Sequence, residues 1–459
     1  MKPAAKSSRA LGEEKIGPLL FRLSVPATVG MLAMALYNVV DTIFIGRGLG
    51  ALAIAGVSIV MPIQMLIFSL SQTLGLGAAS IISRRLGAKD LGGAKNAFGN
   101  VLLLNIVISS LIVFLGYLFA EELLYLFGSQ GAMVSYAHDY FVYILFGTPF
   151  LMFDMILNNV NRAEGNIKFA MMTMVMAAVL NIIFDPIFIF TLKLGVKGAA
   201  LASVLSQFLT LLVLLYYFYS GRSNLTFEWK YFSPNFKVMK EILAIGASSF
   251  ARHGAASVLA AILNHSLFIF GGEMAVAIYG IINRILRMTF MPLFGLVQAF
   301  LPITGYNYGA GNYERVLQTL KFAVKYATLT VIGIFIFLMI FAQPIFFLFN
   351  DDPVLVKEGA RALRMIILLT PLIGFQMIGA GYFQALGKAL AAFILAIARQ
   401  ILFLLPLIFI LPRFYKLDGI WLAFPAADIL AVGVTLLLVV PEWKRLKAKV
   451  DLINLHSQN

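Results

Sequence analysis

Two pairs of polar side chains stand inside runs of sequence that are otherwise almost wholly apolar. Asn181 and Asp185 are four residues apart between Phe169 and Leu192, a stretch with no other amide or charged side chain, and Asn38 and Asp41 are three apart in the first apolar run. On a helix each pair shares a face. An ionisable group at membrane depth is costly and marks an ion or proton pathway or a paired partner. Two carboxylates brought together in a low dielectric cannot readily both ionise, so one is expected to hold a proton. Equally, carboxylates with amide and hydroxyl oxygens make a hard-cation site that suits sodium. The residue types leave both chemistries open.

The elements that carry these groups are membrane spans. Of 459 residues 61% are hydrophobic and 12% charged, against roughly 45–50% and 25% in a soluble domain. A bilayer-spanning helix needs roughly 20 apolar residues, and windows of that size place about twelve spans near 17–46, 52–80, 96–119, 136–161, 168–191, 196–219, 241–270, 275–303, 318–343, 359–383, 389–412 and 418–440. The net charge of +14 would suggest nucleic acid in a soluble chain. Here the cations fall in alternate short loops, among them Arg84, Arg85, Arg162, Lys168, Arg222, Lys230, Arg315 and Lys321. That is the cytoplasmic positive excess of a membrane protein. With Lys2, Lys6, Arg9 and Lys15 at one end and Lys444, Arg445, Lys447 and Lys449 at the other, both termini are expected in the cytoplasm of a cell with a plasma or inner membrane. The first apolar run is too long for a signal-peptide core and reads as a retained span. The chain has no cysteine and four scattered histidines, so neither a disulfide nor a zinc centre is expected.

Depth brings the polar groups together. Spans one and five run outward and span six returns, so Asp41, Asp185 and Ser203 each lie about five to seven residues below the outer ends, roughly 8–11 Å at 1.5 Å per residue. Asp154 on span four offers a further buried acid, or a structural partner for Asn158. Pro26 and Pro186 each remove a helix hydrogen bond and are expected to kink their spans beside the polar groups.

The chain also repeats itself. Leu86-Gly87-Ala88, Leu126-Phe127, Thr148-Pro149 and Ala163 with Gly165 recur in the same order and at one constant offset as Tyr308-Gly309-Ala310, Leu348-Phe349, Thr370-Pro371 and Ala385 with Gly387. Six spans return the chain to the same side, so the halves are parallel repeats, the arrangement of alternating-access transporters. The expected division is a tail at 1–16, a first lobe at 17–220, a cytoplasmic linker at 221–240, a second lobe at 241–441 and a tail at 442–459. Leu263 falls opposite Asp41, Gln376 opposite Asp154 and, with a slip of two, Leu405-Pro406 opposite Asp185-Pro186. With no acid at these positions, coupling is expected in the first lobe alone.

Pro26 and Asp41, the turn Asn161-Arg162-Ala163-Glu164-Gly165-Asn166, and Leu180-Asn181-Ile182-Ile183-Phe184-Asp185-Pro186 followed by Gly195-Val196-Lys197-Gly198-Ala199-Ala200 resemble the multidrug and toxic compound extrusion (MATE) family of antiporters over almost the whole chain. The resemblance implies an all-α membrane protein with V-shaped six-helix lobes, exporting cationic or amphipathic organic compounds in exchange for Na⁺ or H⁺. Carried over by position, it makes Asp41, Asn181, Asp185 and Ser203 the cation or proton site, with Asn158 in the same network; the residue types and spacing add Asn38, Asp154 and Gln376 as further polar cavity. Another branch of the family carries acids in spans seven and ten, which this sequence lacks.

On this reading the chain is not an enzyme, needs no cofactor beyond its coupling ion, binds neither nucleotide nor nucleic acid, and works as a monomer on drug-like molecules in the bilayer. A lipid-linked precursor flippase of the same superfamily is the alternative, and Arg252, Arg284 and Arg287 argue for it. An intramembrane transferase is disfavoured because neither a D-x-x-x-D motif nor a His-Asp cluster occurs, and no phosphate-binding loop offers direct ATP drive.

Overall fold

Lipid offers backbone groups no hydrogen-bond partner, so each apolar run closes its own ladder as a helix. The computed structural model describes residues 3–131 and 133–458, and Lys2, one of the tail cations, lies outside the described residues. Sixteen α-helices occur among the described residues: α1 (Pro3–Glu13), α2 (Ile16–Leu49), α3 (Ala51–Gly87), α4 (Leu91–Leu118), α5 (Ala120–Leu126), α6 (Met133–Ala163), α7 (Ile167–Pro186), α8 (Val196–Tyr219), α9 (Phe236–Thr289), α10 (Met291–Gly309), α11 (Tyr313–Phe347), α12 (Pro353–Ile366), α13 (Ile373–Ala385), α14 (Ala389–Ile397), α15 (Leu405–Ile410) and α16 (Pro412–Gln458). Ten helical stretches are long and apolar enough to cross a membrane, and the bent pair of α12 with α13 makes an eleventh. Helix α9 holds two arms that meet at Gly272, where φ is 65°. The first arm is the seventh crossing; the second, with α10 after a break at Phe290, is the eighth.

The chain divides into two units. The first takes the residues up to Glu13 and Val29–Gly246, the second Glu14–Thr28 and everything from Ala247 onward. The start of α2 therefore belongs with the second half of the sequence. The linker and the first turns of α9 belong with the first half.

In the first unit α6 is central, packing against α3, α4 and α8, and α7 packs on α8. The linker is bound to this unit too: Lys95 pairs with Glu228, and the Asn235 backbone N–H donates to Asn100 Oδ1 at 2.7 Å. Two helix backbones come unusually close. A Cβ on Gly77 would lie 2.1 Å from the Ile242 carbonyl oxygen, and one on Gly246 would lie 2.0 Å from the Thr73 carbonyl oxygen. One glycine on each helix, Gly77 of α3 and Gly246 of α9, lets the backbones meet, the usual device where lipid supplies no hydrophobic drive. Gly77→Leu and Gly246→Leu are each expected to abolish folded expression, and Gly77→Ala to cost about 1–3 kcal/mol. Detergent size-exclusion profiles and melts check this; a monodisperse Gly246→Leu protein would contradict it.

In the second unit Leu263 and Leu267 of α9, Ile282, Leu338 and Phe346 of α11, Leu363 and Trp421 of α16 form a continuous core. Large apolar side chains on the outer faces of both units remain exposed, Phe114 and Val107 at 64% and Ile340 at 62% among them. A soluble protein would bury them; here they face hydrocarbon.

The backbone carries the repeat as clearly as the sequence does. Gly50 and Gly272, Lys89 and Gly311, and Gly165 and Gly387 all have positive φ, and all three pairs stand at the offset of the sequence repeat. Asp90 caps α4 by accepting from the Gly93 N–H, and Asn312 caps α11 by accepting from the Arg315 N–H, at the same spacing. Gly195 (φ 62°, ψ −138°) and Lys416 (φ 50°, ψ −132°) match in the same way at an almost identical offset. Each half is thus punctuated by the same left-handed turns, which only residues tolerant of positive φ close cheaply.

Of the two prolines expected to disturb their helices, Pro186 does and Pro26 does not. Pro186 ends α7, and the chain continues as a π-helical turn, Ile187–Thr191, because proline lacks the N–H that would continue the ladder and its ring crowds the carbonyl four residues back. Helix α2 runs unbroken through Pro26.

Candidate functional site

The polar groups of the first unit meet at the C-terminal half of α7. Asn181 Nδ2 donates to Asp185 Oδ1 at 3.4 Å, along its own helix face, and to Ser203 Oγ of α8 at 3.1 Å. Asp41 of α2 faces the same point, its carboxyl within hydrogen-bonding range of Asp185. The helical spacing and matched depth read from the sequence therefore bring Asp41, Asn181, Asp185 and Ser203 together. Asp185 is fully buried, Asn181 2% exposed and Asp41 9%. Three oxygens in this group, Asp41 Oδ1, Asn181 Oδ1 and Asp185 Oδ2, are buried with no hydrogen-bond partner. Buried oxygens are ordinarily satisfied, so three orphans converging from two helices form a donor set for a hard cation or for protons.

Asn181 and Ser203 open onto a cavity of about 50 Å³ enclosed by α2, α6, α7 and α8. One water needs roughly 10–15 Å³, so the space takes a few waters and no drug-sized molecule. Tyr37 enters it from α2, Asp154 and Asn158 from α6, Thr173 from α7 and Gln207 from α8. Asn158 Nδ2 donates to the Asp154 carbonyl at 3.0 Å, and Thr173 Oγ1 donates to Asn158 Oδ1 at 3.0 Å. Asp154, 7% exposed, leaves Oδ1 unpartnered. Asn158 and Asp154 thus line the same cavity as Asn181, one to two helical turns further in.

Several positions differ from the sequence reading. Asn38 is exposed and donates to the Met34 carbonyl at 2.7 Å, outside the cavity; three residues from Asp41 on α2, it shares the helix side but not the inward direction. Gln376 is on α13 of the second unit and takes no part in this cavity. Arg162, a loop cation by its place in the sequence, is 8% exposed and lines the cavity, its Nη2 3.1 Å from Met174 Sδ. The last turn of α6 is buried almost residue by residue, and it carries Arg162 inward.

Two tyrosines join the site without any signal in the sequence. Tyr140, 4% exposed and hydrogen-bonded to Gln64, stands with Tyr37 near both carboxyls. Aromatic residues in apolar runs give no periodic sign of a polar role.

The second unit holds a buried acid as well. Asp428 of α16 is fully buried and paired with Arg399 Nε at 2.5 Å. It stands at neither of the positions opposite Asp41 and Asp185.

A family model described as MatE matches residues 26–187 and 255–410, one segment in each half. The chain belongs to the MatE family. The multidrug export protein MepA of Staphylococcus haemolyticus (strain JCSC1435) is 27% identical over 434 residues, covering 95% of each chain. A solved outward-facing multidrug resistance MATE family transporter of the MOP superfamily is 30% identical with a TM-score of 0.89, covering 95% of this chain and 98% of its own. A MOP superfamily transporter from Pyrococcus furiosus Vc1 (DSM3638), described as having a binding pocket of reversed polarity, shows the same identity, TM-score and coverage. Family membership makes this MatE protein a multi-span membrane transporter rather than an enzyme.

Proposed function

We propose that this MatE protein exports drug-like organic compounds across the cell membrane by exchange for Na⁺ or H⁺, with both termini in the cytoplasm. The observation that carries the coupling is the facing of Asp41 and Asp185, one oxygen of each and Asn181 Oδ1 being buried without a partner. A hydrogen bond between two carboxyls exists only while one of them holds a proton. A sodium ion at the same oxygens would replace that proton, and Asn181 with Ser203 would add neutral ligands of the hard type that Na⁺ accepts. Either ion holds the pair together with a single net negative charge, and losing it leaves two like charges that repel in a low dielectric. Such a group biases a two-state lobe by its occupancy alone. Helix α7, with Pro186 and the π-helical turn next to Asp185, is the element positioned to respond.

The drug-export reading rests on the names of the relatives, MepA among them, and on identity sustained over nearly the full length of both chains. The cavity is complete within one chain, which supports a monomer as the working unit.

Purified protein in liposomes, loaded with a cationic dye and given a sodium gradient or a pH gradient separately, tests the reading. Dye movement driven by one of the two gradients is expected. Movement that answers to neither, with the dye equilibrating passively, would rule out antiport.

A further inference from the structure

The pair formed by Arg399 and Asp428 lies outside the site above and has no role in it. Arg399 sits where α14 passes into a π-helical segment, Ala398–Leu404, and its Nε donates to Asp428 Oδ1 at 2.5 Å. Lys388 stands at the start of α14 and pairs with Glu442, where the apolar part of α16 gives way to charged sequence. Arg399 is eleven residues from Lys388 and Asp428 fourteen from Glu442, which puts the inner pair roughly 15–20 Å from the outer one. That depth is near the middle of a hydrocarbon layer about 30 Å thick.

The repeat gives the pair its meaning. With the offset that relates Gly165 to Gly387, Arg399 falls on Ala177; with the offset that relates Gly195 to Lys416, Asp428 falls on Gln207. Ala177 and Gln207 both line the first-lobe cavity. The second unit therefore has its acid and its cation at the positions that in the first unit border open space. Asp428 Oδ2 is buried without a partner, as is Gln400 Oε1 on the next residue. Arg399 is the one charged group among the described residues that acts directly on Asp428. Tyr279 of α9 lies beside Arg399, with Asn283 and Arg287 on the same helix beyond it.

We infer that Arg399 is a tethered cation that fills, at Asp428, the cation site of the second lobe, so that ion exchange is left to the first. A buried carboxylate at mid-membrane must be neutralised by a proton, a metal ion or a fixed counter-charge. A guanidinium on the protein's own backbone cannot leave, so this carboxylate stays paired throughout a transport cycle. The inference rests on the antiport reading for its consequence, but its first test, by melting, is independent of transport.

In an Asp41→Asn/Asp185→Asn background the first-lobe site has no carboxylate, and melting of the purified protein is measured against NaCl, against N-methylglucamine chloride, and from pH 8 to pH 5. Adding Arg399→Met should create a new stabilisation by Na⁺ or by acid, several degrees in Tm, because the freed carboxylate now takes an external cation. Adding Asp428→Leu as well should remove it. Identical cation dependence with and without Arg399→Met would overturn the inference. If Arg399→Met alone fails to fold, Arg399→Met/Asp428→Leu in the otherwise unaltered protein decides. Replacing both members of a buried pair by apolar residues of similar size is often tolerated, so this variant should export with an unchanged dependence on the coupling ion. A changed ion dependence or lost export in a folded double variant would make the pair a participant in exchange and overturn the inference. A failure of antiport itself would appear instead as gradient-independent flux in the unaltered protein.

Discussion

Asp185→Asn is expected to reduce gradient-driven export to background while leaving expression, monodispersity and melting temperature near those of the unaltered protein. The amide keeps the size of the side chain and can still accept from Asn181, but it neither holds a proton nor presents two anionic oxygens. Asp185 is fully buried and Oδ2 has no partner to lose, so the structural cost is small and the functional loss is specific. Asp41→Asn should behave alike, and the double variant should be no worse than either single one, because residues that act as one unit are strongly non-additive. Asn181→Ala should be milder. Its amide orients the carboxylate and Ser203, and losing such a partner weakens ion binding by roughly 10–100-fold. Flux against ion concentration in liposomes separates these outcomes. Robust ion-driven export by Asp185→Asn would remove Asp185 from the coupling role.

Glu164→Ala is expected to be the most destabilising single change outside the helix contacts. Glu164 follows α6, is fully buried, and its carboxylate accepts from Ser223 Oγ at 2.9 and 2.8 Å and from the Asn224 N–H at 2.8 Å. Its backbone carbonyl accepts from Ser8 Oγ at 2.9 Å, and Asn224 Nδ2 reaches Ser8 Oγ at 3.2 Å. One acidic residue thus clasps α1, the turn after α6 and the start of the linker into the first unit. Truncation strands the Ser223 and Asn224 donors in a buried setting, a cost of about 3–5 kcal/mol. The linker should then be cut by trypsin at Arg222 far faster than in the unaltered protein, and Glu164→Gln should recover part of the protection. Unchanged melting and cleavage in Glu164→Ala would show the clasp to be incidental.

Much of this molecule is legible in one dimension. Span length follows from bilayer thickness, so hydropathy alone places the crossings and the boundary at Gly272, but not a break such as Phe290 inside continuous apolar sequence. The internal repetition is visible in a few turn motifs because those turns need positive φ, and few residue types supply it. Asn181 and Asp185 can be joined because helical spacing fixes four residues to one face. Asp41 and Ser203 can be added because depth is a count of residues from a span's end.

The remaining decisions belong to packing. Neither spacing nor depth says which way a helix is rotated, so spacing groups Asn38 with Asp41 although it is exposed, and charge assigns Arg162 to a loop although it is buried. Asp154, Asn158 and Thr173 share one cavity only because α6, α7 and α8 pack closely, and Tyr37 and Tyr140 join the acids only because α2 and α6 present them there. The pairing of Arg399 with Asp428 joins two helices whose charges look like isolated anomalies in the sequence. What the sequence by itself determined is the set of groups at membrane depth, since their cost is a property of residue type and position along a span. Which of them face one another is a matter of helix rotation and contact, and that only the tertiary structure decided.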